Sequence, residues 1–387
     1  MSEETFYPLS VPSIRGNEWQ YVKECLDTEW VSTAGSFVNR LETDFAQCVG
    51  AKFAIACSSG TAALQVALQC AGVAPGDEVI LPTVTFIATA NTVTYLGAEP
   101  VFVDCDSYYN INIDSLEAFL GQHTRRRNGD TWNKQSNRRI SAIVPVHVFG
   151  NAVDMERLVT VSDTYGITIV EDAAESLGTR YTAGRFDGQH TGTIGALGCF
   201  SFNGNKIVTT GGGGMIVTND DHLATRARHL TTTAKQDEIR YLHDEIGYNF
   251  RLTNVQAAIG VAQLELLAEF LEAKARNHAA YASHLKAIDG LELAPVPAYA
   301  TNNLWMCPVR IDARTFGRDR EQLMQSLSKR RVQTRPLWQL NHLQAPFAHC
   351  QHMVSPVATQ LLADTLCFPC STNLTECDVE EIVNRIQ

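Results

Sequence analysis

Short apolar runs alternate with helical segments along the first 220 residues of the chain. Helical patterns occur at residues 61–72, 88–96 and 154–165. The runs that predict strands lie at residues 53–57, 79–81, 101–103, 140–146, 167–170, 198–202 and 214–217. These runs are apolar throughout rather than alternating, which is typical of parallel strands buried on both faces. The pattern therefore predicts an α/β fold with a mostly parallel, seven-stranded sheet flanked by helices.

The remaining segments predict how the chain divides into domains. Residues 121–139 are polar and contain the turn signal Asn128-Gly129-Asp130, so an exposed hairpin is expected there. Residues 253–290 are rich in Ala, Leu and Glu and predict a long connecting helix. Residues 291–387 predict a smaller C-terminal α+β domain. Residues 1–252, which include an N-terminal arm, are then the large domain.

Charge and composition narrow the choice of partner and location. The chain has 387 residues, with 31 Lys and Arg against 42 Asp and Glu, which gives a net charge of −11. Nucleic acids and anionic membranes both bind basic surfaces, so neither is expected as a partner. No apolar stretch reaches the about 18 residues of a membrane span, and the N-terminus lacks a signal-peptide pattern. A cytoplasmic protein is therefore expected.

Eleven scattered cysteines agree with a reducing compartment. Cys367 and Cys370 form one Cys-x-x-Cys spacing, with His349, Cys350 and His352 upstream. A single pair of this kind leaves a metal or redox role open. A proline-containing turn is the preferred interpretation, and no metal is predicted.

The strongest chemical signal is a lysine in a loop of small residues. Lys206 lies shortly after the run 198–202 and just before four glycines at residues 211–214, while Asp172 follows the apolar run 167–170. A lysine can carry pyridoxal phosphate as a Schiff base, and a carboxylate at a strand end can keep the pyridine nitrogen protonated. The pair predicts a pyridoxal phosphate site in which Lys206 and Asp172 are catalytic and bind the cofactor.

The turn after the first strand predicts a seat for a phosphate. Residues 58–61 are Ser-Ser-Gly-Thr and lead into a helix, whose free N–H groups and dipole attract anions. An ordinary helix cap is the alternative, but the nearby lysine–aspartate pair favours phosphate binding by Gly60 and Thr61. Ser201 either donates its hydroxyl to the phosphate or makes a strand-edge hydrogen bond.

Three further residues near strand ends have open roles. Phe86 either stacks on the cofactor ring or belongs to the core, which is the default for an aromatic side chain. His147 either lines the pocket or satisfies a backbone carbonyl. Glu171 directly precedes Asp172, and adjacent strand residues face opposite sides, so only one of these carboxylates faces the site.

Seven segments, spread over nearly the whole chain, carry motifs in a fixed order. They lie at residues 59–64, 75–79, 85–91, 145–147, 171–174, 200–206 and 247–254. Together they resemble the sugar aminotransferases of the DegT/DnrJ/EryC1/StrS family. The resemblance implies a fold-type I transferase, with the aspartate aminotransferase fold. The implied cofactor is pyridoxal 5'-phosphate, with pyridoxamine 5'-phosphate in the half-reaction.

The resemblance also implies roles at matching positions. Lys206 is similar to the Schiff-base lysine, Asp172 to the partner of the pyridine nitrogen and Phe86 to the ring-stacking aromatic. Asn249 resembles an asparagine that reaches the phosphate from the neighbouring subunit, which implies a homodimer with shared active sites. The implied phosphate ligands in the same chain are Gly60, Thr61 and Ser201.

Glu175 departs from the family pattern, which commonly has glutamine near the phenolic oxygen of the cofactor. A carboxylate beside a phenolate is repulsive unless one of them holds a proton. Residues 171–178 and the arginine-rich insert resemble a narrower, LegC-like group of the family. Members of that group aminate C4 of a nucleotide-linked 4-keto-6-deoxy-N-acetylhexosamine in legionaminic acid or bacillosamine pathways.

The resemblance therefore implies transfer of an amino group from glutamate, which leaves as 2-oxoglutarate, to a nucleotide sugar, with UDP favoured as the nucleotide. One alternative is another aminotransferase of this type, acting on a GDP- or dTDP-linked sugar at C3 or C4. A second is a non-catalytic sensor that binds the cofactor. The 3-dehydratases of the family lack the lysine present here at position 206, which argues against that activity.

Overall fold

The structure of the protein, a computed structural model, describes residues 5–237, 239–354 and 356–386. Its strands are β1 (Phe53–Cys57), β2 (Glu78–Pro82), β3 (Glu99–Val103), β4 (Thr124–Arg127), β5 (Asp130–Asn133), β6 (Arg139–Ile143), β7 (Thr168–Asp172), β8 (Leu197–Ser201), β9 (Gly214–Thr218), β10 (Lys235–Asp237), β11 (Leu242–His243), β12 (Leu291–Leu293), β13 (Cys307–Ile311), β14 (Arg335–Pro336), β15 (His352–Met353) and β16 (Thr365–Phe368).

The described chain also contains thirteen α-helices. They are α1 (Glu18–Asp27), α2 (Ser36–Val49), α3 (Gly60–Cys70), α4 (Ala88–Tyr95), α5 (Ile113–His123), α6 (Met155–Tyr165), α7 (Asp221–Thr231), α8 (Asn254–Glu265), α9 (Leu267–Leu285), α10 (Ala313–Phe316), α11 (Arg320–Lys329), α12 (Pro356–Asp364) and α13 (Glu376–Asn384). None of the helices in the described ranges combines the length and apolar composition that a membrane span needs.

A ten-stranded sheet forms the centre of the molecule. Its main path runs in the order β1-β9-β8-β7-β6-β2-β3-β15. The pairs from β8 to β15 are parallel, and β9 is antiparallel to both β1 and β8. The seven strands predicted from the sequence are neighbours in this path. The predicted α/β class with a mostly parallel sheet is confirmed.

Helices cover both faces of the sheet, as the apolar strands predict. Along β2, Ile80 packs with helices α5 and α6 on one face, while Leu81 packs with α3, α4 and α7 on the other. The same alternation occurs in β7, where Ile169 and Val170 lie in the two different clusters. Because successive side chains of a strand point to opposite faces, a strand covered on both sides needs apolar residues at every position.

The hairpin predicted in residues 121–139 is confirmed. Strands β4 and β5 pair antiparallel, and their turn contains Asn128 and Gly129, both with positive φ. Strand β5 continues the sheet on β6. Residues 125–127, all arginine, are exposed, whereas Arg138 and Arg139 form ion pairs with Glu99 and Asp77.

The helical stretch predicted over 253–290 forms two helices rather than one. Helix α8 ends at Glu265, Leu266 leaves helical geometry with φ −100° and ψ 4°, and α9 begins at Leu267. Helix α8 packs against α1 and α2, while α9 packs against α13 and β12. The two helices serve different surfaces, so the prediction of one continuous helix is wrong. High helix propensity predicts that these residues are helical, but it does not predict where one helix ends and the next begins.

A second, smaller unit contains the antiparallel sheet β12-β13-β16-β14. Two contacts join the predicted large domain (residues 1–252) to the predicted small domain (residues 291–387). Tyr7, near the N-terminus, pairs with Val332 of the smaller unit, and β15 from the C-terminal part adds a strand to the edge of the large sheet. The domain boundaries themselves stay a prediction.

Candidate active site

A pocket of about 760 Å³ lies at the carboxyl ends of the parallel strands. Its walls include the ends of β7 and β8, the start of α3 and the loop between β2 and α4. Residues 335–339 of the smaller unit close another side. Seven of the eight predicted site residues line this pocket: Gly60, Thr61, Phe86, Asp172, Glu175, Ser201 and Lys206.

Lys206 lies in the loop that follows β8. Its Nζ is 3.5 Å from Oε1 of Glu175 and 3.9 Å from the centre of the Trp305 ring. The carbonyl of Asn205 accepts a hydrogen bond from the Trp305 indole at 2.7 Å, which ties the loop to that ring. The lysine side chain is only 13% exposed. Its amine is therefore held at the pocket wall by a carboxylate and an aromatic face.

Asp172 ends β7 and is buried, with its carboxylate toward the pocket. Oδ2 accepts a hydrogen bond from the Thr89 hydroxyl at 2.8 Å, and Oδ1 accepts one from the Ala174 N–H at 3.1 Å. Burial raises the pKa of Asp172, although these two donors and the charge of Lys206 oppose the shift. A buried carboxylate of this kind favours a cationic partner, and a protonated pyridine nitrogen has the required charge. This wall of the pocket therefore fits the predicted cofactor.

Glu171 faces the other side of the sheet. It accepts hydrogen bonds from the N–H groups of Gly192, Ile194 and Gly195 at 2.6–2.8 Å, and its Oε2 lies 2.9 Å from Nε2 of His147. Burial raises the pKa of Glu171, but the contact with His147 and the N–H donors outweigh burial, so the pKa is lowered. Of the two adjacent carboxylates, only Asp172 faces the pocket.

His147 occupies neither of the positions left open by the sequence. It is fully buried, and its Nδ1 accepts a hydrogen bond from the Val153 N–H at 3.1 Å. Because Nδ1 accepts, the ring hydrogen is on Nε2, which donates to Glu171. His147 is thus a partner of Glu171 behind the pocket wall.

The start of α3 forms a compact seat beside Ser201. The Ser59 hydroxyl accepts a hydrogen bond from the Ala62 N–H, while the N–H groups of Gly60 and Thr61 have no acceptor within the described part of the chain. A Cβ at Gly60 would lie 2.8 Å from the Ser201 Cβ, and one at Gly214 would lie 2.5 Å from the Ser59 carbonyl oxygen. The free N–H groups and this close approach fit a phosphate group.

Phe86 is a pocket residue and not a core residue. It lies in the loop between β2 and α4, is 54% exposed and approaches Trp338 edge to face, with ring centroids 6.4 Å apart. Trp338 also lies 5.2 Å from the ring of Phe149. The ring of Phe86 is therefore available to a ligand in the pocket.

Asn249 is the predicted site residue that lies elsewhere. It is exposed, forms a bridge with Thr232 and does not line the pocket. Large apolar side chains nearby along the chain are also exposed, among them Ile239, Tyr241 and Ile246. The described chain thus does not bring Asn249 to the other seven residues.

Several residues that complete the pocket are not predicted by the sequence motifs. Thr89 lies in the first turn of α4, and its backbone N–H donates to the Phe86 carbonyl at 3.2 Å. Trp305, Arg335 and Trp338 come from the smaller unit, about a hundred or more positions from the lysine in sequence. No local pattern links such distant residues to the site.

The cysteines that left a metal role open lie in the smaller unit. Cys367 belongs to β16 and lines the pocket, and the Sγ of Cys370 is 3.3 Å from the Trp305 carbonyl. Within the described ranges, the two groups of three potential metal ligands are Glu99, His349 and Cys350, and His229, Asp244 and Glu245. Neither group includes Cys367 or Cys370.

Comparison with known proteins decides the family. Residues 12–387 match the DegT/DnrJ/EryC1/StrS aminotransferase family. The chain belongs to this family. A GDP-perosamine synthase of Caulobacter vibrioides is 38% identical over 385 residues, which cover 99% of this chain and 98% of that protein. A GDP-perosamine synthase of Escherichia coli O157:H7 is 35% identical over 357 residues, 92% of this chain and 91% of that protein.

A solved structure gives the same result for the fold. DesI, crystallised in the presence of its TDP-sugar product, has a TM-score of 0.87 and 29% identity, covering 100% of this chain and 93% of its own. The predicted family and the fold-type I architecture are confirmed. The family uses pyridoxal phosphate, so the predicted cofactor and enzyme class are confirmed too: the protein is a pyridoxal phosphate-dependent sugar aminotransferase.

Proposed function

We propose that this enzyme transfers an amino group from glutamate to C4 of a GDP-linked 4-keto-6-deoxyhexose. The observation that carries the reaction type is the pocket in which Lys206, Asp172 and the phosphate seat meet. The choice of nucleotide is supported by the GDP-perosamine synthases, which are 32–38% identical and match over almost the full length. GDP-perosamine carries a 4-amino-4,6-dideoxy sugar, so its formation requires amination of a C4 ketone.

Pyridoxal phosphate, when bound, supplies an electron sink that allows an amino group to move between carbon skeletons. We assign Lys206 the covalent attachment of the cofactor and the transfer of protons at the reacting carbon. Asp172 would hold the pyridine nitrogen protonated and Phe86 would stack on the ring. Gly60, Thr61 and Ser201 would bind the phosphate.

Glu175 lies within reach of the lysine and is the proposed neighbour of the cofactor's phenolic oxygen. Its Oε2 accepts a hydrogen bond from the Phe149 N–H at 2.9 Å, and its Oε1 is the atom close to Lys206. Burial raises the pKa of Glu175, although Lys206 opposes the shift. A raised pKa favours the protonated acid, which can donate to a phenolate instead of repelling it.

The proposed active form is a homodimer in which Asn249 of one chain reaches the phosphate seat of the other. Support comes from the position of Asn249 outside its own pocket and from the exposed side chains of residues 239–246. Trp19 and Trp30 add exposed apolar surface, at 78% and 60% exposure. Exposed apolar side chains of this size are common where two chains associate.

A panel of substrates tests the proposed function. The holoenzyme is supplied with glutamate and with GDP-, UDP- or dTDP-linked 4-keto-6-deoxy sugars, and the product is identified by mass spectrometry and NMR. We expect the highest kcat/KM with the GDP-linked sugar, an amino group at C4 and no turnover by Lys206→Ala. Preference for a UDP-linked N-acetylated sugar would overturn the GDP assignment in favour of the LegC-like alternative. Cofactor binding without turnover of any of these substrates would support the alternative of a non-catalytic sensor.

A further inference from the structure

Asn341 and His342 of the smaller unit form hydrogen bonds with the loop that contains Phe86, residues 83–87. The side-chain amide of Asn341 donates to two carbonyls of this loop, Thr83 at 3.1 Å and Thr85 at 2.8 Å. The backbone N–H of Asn341 also donates to the Thr83 carbonyl, at 3.0 Å. In addition, Nδ1 of His342 lies 2.7 Å from the Thr83 hydroxyl. Residues 83–87 are therefore held by the C-terminal part of the chain, more than 250 positions away.

From this loop a hydrogen-bond relay leads to Asp172. The Thr89 hydroxyl donates to the Asp172 carboxylate at 2.8 Å, so its oxygen is free to accept from the Thr85 hydroxyl, 2.9 Å away. All four members of the relay are buried: Asn341, Thr85, Thr89 and Asp172 have exposures of 1–4%. These side chains are almost completely buried, so a displacement of Thr85 would weaken the hydrogen bonds made by Thr89 and Asp172.

The amide of Asn341 is only half satisfied. Its Oδ1 is buried and has no hydrogen-bond partner within the described residues. An unpaired buried acceptor costs about 1–3 kcal/mol, so a residue that only filled space here would be better apolar. The amide nitrogen, in contrast, donates hydrogen bonds to two backbone carbonyls, those of Thr83 and Thr85. The side chain does not line the pocket and cannot contact a ligand there.

We propose that Asn341 is a positioning residue, which fixes the loop 83–87 and thereby sets the Thr89 hydroxyl on Asp172. The residue acts on the cofactor site through this relay and not by touching the cofactor. This inference rests on the role assigned above to Asp172, and its test separates the two.

The test measures cofactor affinity and the visible absorption spectrum of the holoenzyme in Asn341→Ala and Asn341→Leu. We expect the dissociation constant for pyridoxal phosphate to rise about tenfold, as for the loss of about 1.4 kcal/mol, with a shifted absorption maximum. Asn277→Ala is the matched control, because Asn277 is a buried asparagine of the C-terminal part that donates to the Ser371 carbonyl, far along the chain from the loop. Asn277→Ala should lower the free energy of unfolding and leave cofactor affinity and the absorption spectrum unchanged.

Two further variants complete the experiment. Thr85→Val breaks the relay without altering the smaller unit, and in combination with Asn341→Ala its effect on cofactor affinity should be less than additive. If Asp172→Asn changes affinity and spectrum while the Asn341 and Thr85 variants leave both unchanged, the positioning role is wrong and the proposed function stands. If Asp172→Asn changes neither property, the role of Asp172 itself is wrong.

Discussion

Asp172 and Glu171 are adjacent carboxylates with opposite surroundings. Glu171 is surrounded by N–H donors and His147, and its pKa is lowered. Asp172 has two donors, and its pKa is raised by burial. The difference follows from the strand period of two, which the sequence reveals, and from the loop at residues 192–195, which it does not. The strand period alone therefore predicts that only one of the two carboxylates faces the site, and the position at the strand end favours Asp172.

The charge of Arg335 suits a substrate rather than the cofactor. Among the described residues that line the pocket, the cationic side chains are Lys206 and Arg335. Lys206 is engaged by Glu175 and Trp305, whereas among the described residues the guanidinium of Arg335 hydrogen-bonds to the Thr334 carbonyl alone, at 2.9 Å. Both proposed substrates carry anionic oxygens, which an arginine binds with two parallel donors.

Replacing Arg335 by glutamine should therefore raise the KM for glutamate, the nucleotide sugar or both, about tenfold or more, because a charged hydrogen bond is lost. Affinity for pyridoxal phosphate should stay close to that of the wild type. Steady-state kinetics with each substrate varied in turn make the measurement. Arg314→Gln, which alters an arginine 96% exposed and outside the pocket, is the control. Wild-type KM values for both substrates in Arg335→Gln would refute the assignment.

At the scale of elements, the segment that connects β7 to β8 contains a buried, neutral histidine, His190. His190 is buried, its Nε2 accepts from the Gly178 N–H at 2.7 Å, and its Nδ1 is 2.6 Å from the Thr191 carbonyl. The acceptor role of Nε2 requires the neutral ring, with the hydrogen on Nδ1. Burial lowers the pKa of His190 from 6.5 to about 4.

This shift has a definite sign for stability. Between pH 6.5 and about 4 the unfolded chain binds a proton at His190 that the folded chain does not, so acidification destabilises the fold. Over the whole window the loss from this residue is roughly 3 kcal/mol. Denaturant unfolding of the holoenzyme should show that His190→Gln loses this part of the pH dependence. Asp106→Asn is a control of opposite sign, since burial raises the pKa of Asp106 to about 6. Identical pH profiles for wild type and His190→Gln would contradict the account.

Elements with a strong local pattern were predictable, and elements defined by tertiary contacts were not. The seven central strands and the hairpin over residues 124–133 have continuous apolar runs or a turn signal, and all are present. The break at Leu266 and the two-residue strand β15 have no such signal. Tertiary packing determines both, because α8 and α9 cover different surfaces and β15 pairs with a strand about 250 residues upstream.

At the scale of the whole molecule, the pocket depends on segments that are remote in sequence. The N-terminal Leu9, the strands of the large sheet and residues 335–339 all line it. The sequence motifs therefore predict the part of the pocket that contains Asp172 and Lys206. The wall built from Trp305, Arg335 and Trp338 appears only when the two units pack together. The proposed role of Asn249 requires a dimer, because the proposed site is complete only with a second chain.

Purified heterodimers test the shared site. In one heterodimer, Lys206→Ala is on one chain and Asn249→Ala on the other; in the second, both substitutions are on one chain and its partner is wild type. If the sites are shared, the first heterodimer keeps one intact site and about half of the wild-type activity, while the second keeps none. If Asn249 serves its own chain, the two results are reversed, and the proposed dimer is wrong.

The attachment point of the cofactor is the most direct test of the whole account. Borohydride reduction of the holoenzyme fixes any covalent link between a lysine and pyridoxal phosphate, and peptide mass mapping then locates it. We predict a phosphopyridoxyl group on the peptide that contains Lys206, and its loss in Lys206→Ala. A label on another lysine, or no label after saturation with pyridoxal phosphate, would contradict it.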